Sequence, residues 1–353
     1  MKRKLIQDIN NDTKRTKISN NTYICLSKTC THKKIDNILN FDLISSLDEL
    51  IILGESYSCA NFNIYKGINL RILNDLVPIL KELNNMIGLE QAKQQLITHI
   101  LYFIRGLSNN PCYSCIDCSL QIPCIKNIKN IHDMFHTVIT GPPGVGKTTF
   151  AKILGKIYCK LGKSSDKFNI VSRSQLVSGY LGRTAKKTQK IINKTIGGVL
   201  FIDEAYSLGN TGEHDSYSKE CIDTLNLNLS ENRNFICIIA GYKEELDKCF
   251  FSINPGLERR FPFRYNIEPY NYKELTQILI KKIEDDKWII LDKKYLLELI
   301  KNNYNYFNHY GGSMEILILN IKLAQAYNIN TINKNIDNTI LDKGLELYIN
   351  NKL

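Results

Sequence analysis

No apolar stretch in these 353 residues approaches the run of about 18 that a bilayer-crossing helix needs. No secretory hydrophobic region follows Met1, so a cytoplasmic or nuclear location is expected, with no membrane partner. There is no internal repeat, which excludes a stacked-repeat array. Acidic side chains are the scarcer charge, 35 against 46 Lys and Arg, for a net +11. The imbalance is local: residues 1–34 hold nine Lys/Arg against Asp8 and Asp12, which leaves the rest of the chain nearly neutral. What is present, 43% hydrophobic and 23% charged residues, fits an ordinary globular protein with room for two or three cores. In a reducing compartment the 11 cysteines are expected as thiols or metal ligands.

The stretch Gly141-Pro142-Pro143-Gly144-Val145-Gly146-Lys147-Thr148-Thr149 fits the phosphate-loop pattern G-x-x-x-x-G-K-[ST]. It follows the apolar run Thr137–Thr140 and precedes a helical pattern in which Phe150, Ile153, Leu154, Ile157, Tyr158 and Leu161 share a face. Glycines let successive backbone N–H groups turn inward around phosphate oxygens, and the helix N-terminus adds partial positive charge. Lys147 is then expected to reach the β- and γ-phosphates of ATP, and the Thr148 hydroxyl to ligate Mg²⁺. A second nucleotide signature closes the strand Gly198-Val199-Leu200-Phe201-Ile202 with Asp203-Glu204. Asp203 is placed to hold Mg²⁺ through water and Glu204 to orient and deprotonate the attacking water.

Five strand-like runs, 137–140, 168–171, 199–202, 235–240 and 263–267, alternate with helical patterns. This predicts an α/β fold with a five-stranded parallel sheet covered on both faces. The expected divisions are a basic disordered tail (1–34), a small, mostly helical leader (35–83), a nucleotide-binding domain (84–267) with a Cys-rich insertion at about 111–130, and a lid of helices only (268–353). In the leader, short apolar clusters are broken by Gly54, Gly67 and Pro78. Residues 86–89 open a helix carrying Ala92, Leu96, Ile97, Ile100, Leu101 and Ile104, which Asn109-Asn110-Pro111 ends. Asn271 with Glu274 has the form of a capping box, and later lid helices carry Leu296, Leu297 and Ile300, then Ile316, Leu319 and Leu323.

Taken in order, MIGL at 86–89, the loop GPPGVGKTT, LVSGYLG at 176–182, GGVLFIDEAYSL, IIAGY and NPGLERRF resemble the AAA+ ATPases. More narrowly they resemble the CbxX/CfxQ branch, which includes red-type Rubisco activases and the stage V sporulation protein K group. The likeness covers about residues 84–350. It implies an AAA+ P-loop core with a C-terminal helical lid, an ATPase working as a homo-oligomeric ring, expected as a hexamer, and a protein client in the central pore. On matching positions it implies Ile87 and Gly88 against the nucleotide and Tyr180, Leu181 and Gly182 as a pore loop gripping the client. It implies Arg260, rather than Arg259, as an arginine finger supplied to the neighbouring subunit. The other reading of Tyr180 is a ring packed on its own domain, and of Arg260 an arginine paired with a surface carboxylate. Two departures stand out. The fourth strand ends in Gly241-Tyr242, where many AAA+ proteins place a polar sensor, and the lid has Gly311-Gly312-Ser313-Met314 where an arginine is common.

Cys112, Cys115 and Cys118, with Cys124, could together offer four thiolates to Zn²⁺; a loop of unligated thiols is the first reading, because the spacing is not a standard finger. His136 immediately precedes the first sheet strand and is expected to be packed. Lys2-Arg3-Lys4 and Lys14-Arg15-x-Lys17 read as a solvated tail first, and as a nuclear-import signal or nucleic-acid arm second. The expected function is an ATP-driven ring that remodels or threads a protein client. The alternatives are a nucleic-acid motor or loader, disfavoured by the near-neutral body and lack of a helix-turn-helix, and an ATP-gated scaffold with weak hydrolysis, motivated by Met314.

Overall fold

The computed structural model describes residues 44–56, 64–65, 68–105, 107, 134–161, 164–180, 182–209, 216–231, 234–327 and 334–351. The basic tail, the four cysteines at 112, 115, 118 and 124, and Leu181 lie outside them.

Ten helices of nine or more residues occur among the described residues: α1 Leu47–Glu55, α2 Leu70–Asn84, α3 Glu90–Ile104, α4 Lys147–Lys160, α5 Thr184–Thr195, α6 Ser216–Glu231, α7 Tyr272–Asp285, α8 Lys293–Asn302, α9 Tyr310–Ala326 and α10 Asn338–Asn350. Five strands form one sheet: β1 Thr137–Thr140, β2 Phe168–Val171, β3 Val199–Ile202, β4 Ile236–Gly241 and β5 Phe263–Asn266. Their spatial order is β2-β3-β4-β1-β5, and every pairing is parallel. The strand expected over 235–240 lies one residue later.

Alternation along the strands divides the interior. Ile139, Val199, Phe201, Ile236, Ile238 and Ala240 belong to the core shared with α2, α3 and α4. Val138, Leu200, Ile202, Cys237 and Ile239 belong to the opposite core, with Ile192 of α5 and Ile222 and Leu225 of α6. A parallel sheet buried on both faces needs apolar side chains at successive positions, which is why these strands read as unbroken apolar runs.

Pro78 does not interrupt the leader. It lies inside α2, which runs on to Asn84. An interior proline costs about 3 kcal/mol, but α2 buries Leu73, Leu76, Val77, Leu80 and Leu83, each contributing roughly 1.5–3 kcal/mol, so packing overrides the local penalty. Gly54 likewise lies within α1. Helix α3 ends at Ile104, before the expected Asn109-Asn110-Pro111 stop, which falls outside the described residues.

Past Pro269 the chain is not helical throughout. Ile289–Ile290 pairs in parallel with Asn335–Ile336, a short tie between the starts of α8 and α10 that is too brief for alternation to reveal. The Asn271–Glu274 capping box is present: Asn271 Oδ1 accepts from the Glu274 amide at 3.0 Å, and the Asn271 amide donates to Glu274 Oε2 at 2.7 Å. In α9 the set Ile316, Leu319 and Leu323 faces outward, while Met314, Leu317, Ile318 and Ile321 are buried. The helix is apolar on both sides, so periodicity alone does not choose its inner face.

His136 is packed, as expected. Its Nδ1 accepts from the Cys237 amide at 3.0 Å, and burial drives its pKa from 6.5 down to about 4, against a smaller opposing effect of the Leu229 backbone. A folded-state value below the unfolded one means stability is present above pH 6.5 and lost as pH falls toward 4. The loss is expected to total about 3 kcal/mol, read as the difference in thermal-unfolding profiles between the wild type and His136→Gln across that window. Parallel profiles would contradict it.

Candidate nucleotide site

The strand order places the loop after β1 between the carboxyl ends of β4 and β5, at the reversal where open α/β sheets bind ligands. Gly141, Gly144 and Gly146 have φ of 156°, 76° and 88°, and Gly146 is the N-cap of α4 in left-handed geometry. The lid rests directly on this loop. The Gly311 amide donates to the Gly144 carbonyl at 3.0 Å, and a Cβ at position 144 would lie 1.9 Å from the His309 carbonyl oxygen. Gly144→Ala therefore cannot keep this closed contact. It is expected to loosen the lid and lower nucleotide affinity at least tenfold, measured by titration with a fluorescent ATP analogue.

Lys147, the first residue of α4, curls back over the loop. Its ammonium donates to the carbonyls of Gly141 at 2.9 Å and Pro142 at 2.7 Å. Partial burial lowers its pKa, while the charges of Asp203 and Glu204 act in the opposite sense. The Thr148 hydroxyl donates to Asp203 Oδ2 at 2.7 Å, and Asp203 Oδ1 accepts from the Glu204 amide at 3.1 Å. Two hard oxygen donors from different elements thus meet beside the glycine cradle. That suits Mg²⁺, which takes few protein ligands and completes its shell with phosphate oxygens and water. Among the described residues no group of three His, Cys, Asp or Glu side chains forms a self-sufficient metal cage. Glu204 is exposed and has φ 51°, ψ 46°, an uncommon left-handed conformation for a non-glycine residue. Pro142, Pro143 and Thr149 complete the loop, with Val145 fully buried.

Gly88 packs against the lid root, and Met86, two residues before it, reaches the loop. A Cβ on Gly88 would lie 2.8 Å from Glu274 Oε1 and 2.9 Å from the Tyr270 ring, and Met86 Cε would lie 3.6 Å from a Cβ on Gly146. Tyr270 was not singled out by the sequence reading, yet its hydroxyl donates to the Val145 carbonyl at 3.0 Å. No local pattern marks it, since the contact spans 125 residues. Met314 is fully buried in the core shared by lid and leader.

Two expected residues stand apart from this cluster. Tyr180 is 69% exposed, with the Arg183 guanidinium 5.2 Å over its ring, and the neighbouring Gly182 has φ 71° with open space around it. Arg260 is half-buried; its Nε donates to Ser230 Oγ at 2.5 Å and its Nη1 to the Gly256 carbonyl. Neither partner belongs to the loop. Arg259 is exposed.

The glycine loop at the sheet's switch point, the Thr148–Asp203 contact and the lid seated on Gly144 define a P-loop nucleoside triphosphatase of the AAA class. The profile of the "ATPase family associated with various cellular activities (AAA)" matches residues 137–269. The cfxQ-like protein R730 of Acanthamoeba polyphaga mimivirus is 39% identical over 317 residues, covering 87% of this chain and 73% of the relative. Stage V sporulation protein K of Bacillus subtilis is 35% identical over 215 residues, covering 60% of this chain and 62% of that protein. The FIGL-1 AAA domain, solved in complex with ADP, superposes with a TM-score of 0.51 at 20% identity over 75% of this chain and 83% of that one, a likeness of fold. The chain belongs to the CbxX/CfxQ branch of the AAA+ ATPases, and ATP hydrolysis is its activity. No helix among the described residues is long and apolar enough to cross a membrane.

Proposed function

We propose that this ATPase assembles as a homo-oligomeric ring, a hexamer, and uses each turnover to pull a polypeptide client past Tyr180. The observation that carries the reading is the exposed Tyr180 ring near Gly182, which has open space around it. An aromatic ring held out on a loop, backed by a guanidinium and largely open to solvent, is placed to grip side chains without demanding a sequence. AAA-family proteins generally form rings, which supports placing that loop at a shared axis.

At the nucleotide, Thr148 and Asp203 would hold Mg²⁺, which when bound neutralises phosphate charge. The loop amides and Lys147 bind the triphosphate, Glu204 accepts the proton of the attacking water, and Arg260 of a neighbouring subunit meets the developing charge. Ile87 and Gly88 line the nucleotide beside the lid root. Substitution Tyr180→Ala is expected to retain at least half of the ATPase rate and to lose client remodelling, read by release or unfolding of a captured client. Equal loss of both activities would count against the pore assignment. The weak-hydrolysis scaffold gains one specific support, the wholly buried Met314 in place of a lid cation, and steady-state phosphate release separates it from a motor. A nucleic-acid role, through the basic tail, predicts ATPase stimulation by DNA or RNA that fades steeply with salt.

A further inference from the structure

Two tyrosines beside the reaction centre have no part in the scheme above. Tyr206 lies on the single turn Ala205–Leu208 that follows Glu204, and Tyr242 follows β4. Their rings stack with centroids 5.3 Å apart and planes 20° from parallel. The Lys147 ammonium sits 5.0 Å from the centre of the Tyr242 ring. On the other side, the Tyr206 hydroxyl is pushed up to about 12 by desolvation first, then by the Glu204 charge and Tyr242, with side-chain hydrogen bonding to both contributing. Lys147, Tyr242 and Tyr206 thus form one line of contacts, and the turn that carries Tyr206 begins at Glu204, the carboxylate assigned to water.

Gly241 makes room for this path. A Cβ there would lie 2.9 Å from Cδ1 of Tyr206 and 3.1 Å from Cγ of Leu246, so a side chain at 241 would require the Tyr206 ring to shift against its stacking partner. That position is the strand end at which many AAA+ proteins carry a polar sensor.

We propose that Tyr206 and Tyr242 are positioning residues for hydrolysis, standing in place of the polar strand-end sensor: Tyr206 holds the Glu204 carboxylate, and Tyr242 couples it to Lys147. The left-handed backbone at Glu204, strained for a residue with a side chain, is fixed by the Ser207 amide donating to the Glu204 carbonyl at 2.8 Å and the Gly209 amide to that of Tyr206 at 3.0 Å. The turn thus delivers the Tyr206 ring and the Glu204 side chain together. Raised above the ordinary tyrosine range, the Tyr206 hydroxyl is suited to serve Glu204 as a donor and not as a base. To reach a phosphate, Lys147 must leave the Gly141 and Pro142 carbonyls, and its displacement across the Tyr242 face is passed through the stack to Tyr206.

The inference rests on the assignment of Glu204 to the attacking water, and the experiment separates the two. Tyr206→Phe keeps the ring and removes the hydroxyl. It is expected to lower kcat about 10- to 100-fold, the scale of a misplaced catalytic group, with mant-ATP affinity within threefold of wild type and an unchanged Tm. Gly241→Ala keeps both hydroxyls but displaces the ring, and should lower kcat to a similar degree; it decides the matter if Tyr206→Phe fails to fold. In single-turnover assays the Tyr206→Phe effect should vanish when Glu204 is already glutamine, because the two then act as a unit. Wild-type kcat in both variants, or the same fold-loss with and without Glu204, overturns the role of the stack. Full turnover in Glu204→Gln alone would instead remove the assignment of Glu204 itself.

Discussion

Glu204→Gln is expected to bind ATP as tightly as the wild type and to turn it over about 10²–10⁴-fold more slowly, the range for a removed general base. The exchange is nearly isosteric, and Glu204 is exposed with a backbone fixed by its own turn, so the fold has no reason to respond. The carboxylate is the one acidic group at the end of β3 not already engaged by Thr148, since Asp203 Oδ2 accepts that hydroxyl at 2.7 Å. An amide at 204 has no basic oxygen to take a proton from water. Lys147→Ala provides the contrast, because it removes the cation that reaches phosphate and is expected to lower affinity and turnover together. Steady-state phosphate release with parallel mant-ATP titration reads both. Equal affinity losses in the two variants would mean that Glu204 binds nucleotide and leaves water to another group. The slow Glu204→Gln variant also offers a route to the client, since a ring held with ATP retains what its pore has gripped.

The features legible in the sequence were those set by short-range rules. The loop glycines, Lys147 and Thr148 must be adjacent because the chemistry occupies one turn of backbone, and the doubly buried strands announce themselves as apolar runs. Features that arise from distant contacts were not legible. Pro78 reads as a breaker until the buried leucines around it are counted, and α9 presents two apolar faces of which only the structure selects one. Gly241 reads as a missing sensor, and its reason appears only when the Tyr206 ring is found 2.9 Å from the missing Cβ. The lid's grip on the loop, through Tyr270 and Val145 and through Gly311 and Gly144, joins segments more than a hundred residues apart, and no local spacing encodes it. Tyr180 is a different case: the motif drew attention to it, and its exposure is compatible with the expectation, yet its task needs a ring and a client.

Arg260→Ala is expected to reduce ATP turnover by roughly 10³–10⁵-fold, the usual worth of an arginine finger, while each isolated subunit still binds nucleotide. Among the described residues Arg260 has two neutral oxygen partners, Ser230 Oγ and the Gly256 carbonyl, and no carboxylate partner. A guanidinium so held gives up little when it swings to a phosphate, and its planar fork suits charge developing on phosphoryl oxygens. Arg259→Ala serves as the control and is expected to lose less than tenfold, and Arg260→Lys should remain severely impaired because a point charge does not reproduce the fork. The decisive measurement is complementation. Arg260→Ala subunits keep Lys147 but lack the finger, and Lys147→Ala subunits keep the finger but lack the phosphate lysine, so neither preparation turns over alone. Mixed rings place an intact finger beside an intact loop at some interfaces, and turnover should return in proportion to those interfaces. Recovery on mixing, with wild-type thermal stability in both variants, identifies a finger supplied across subunits. A mixture as inactive as its parts, formed by subunits shown to co-assemble, would assign Arg260 to its own chain and leave assembly without a direct part in the chemistry.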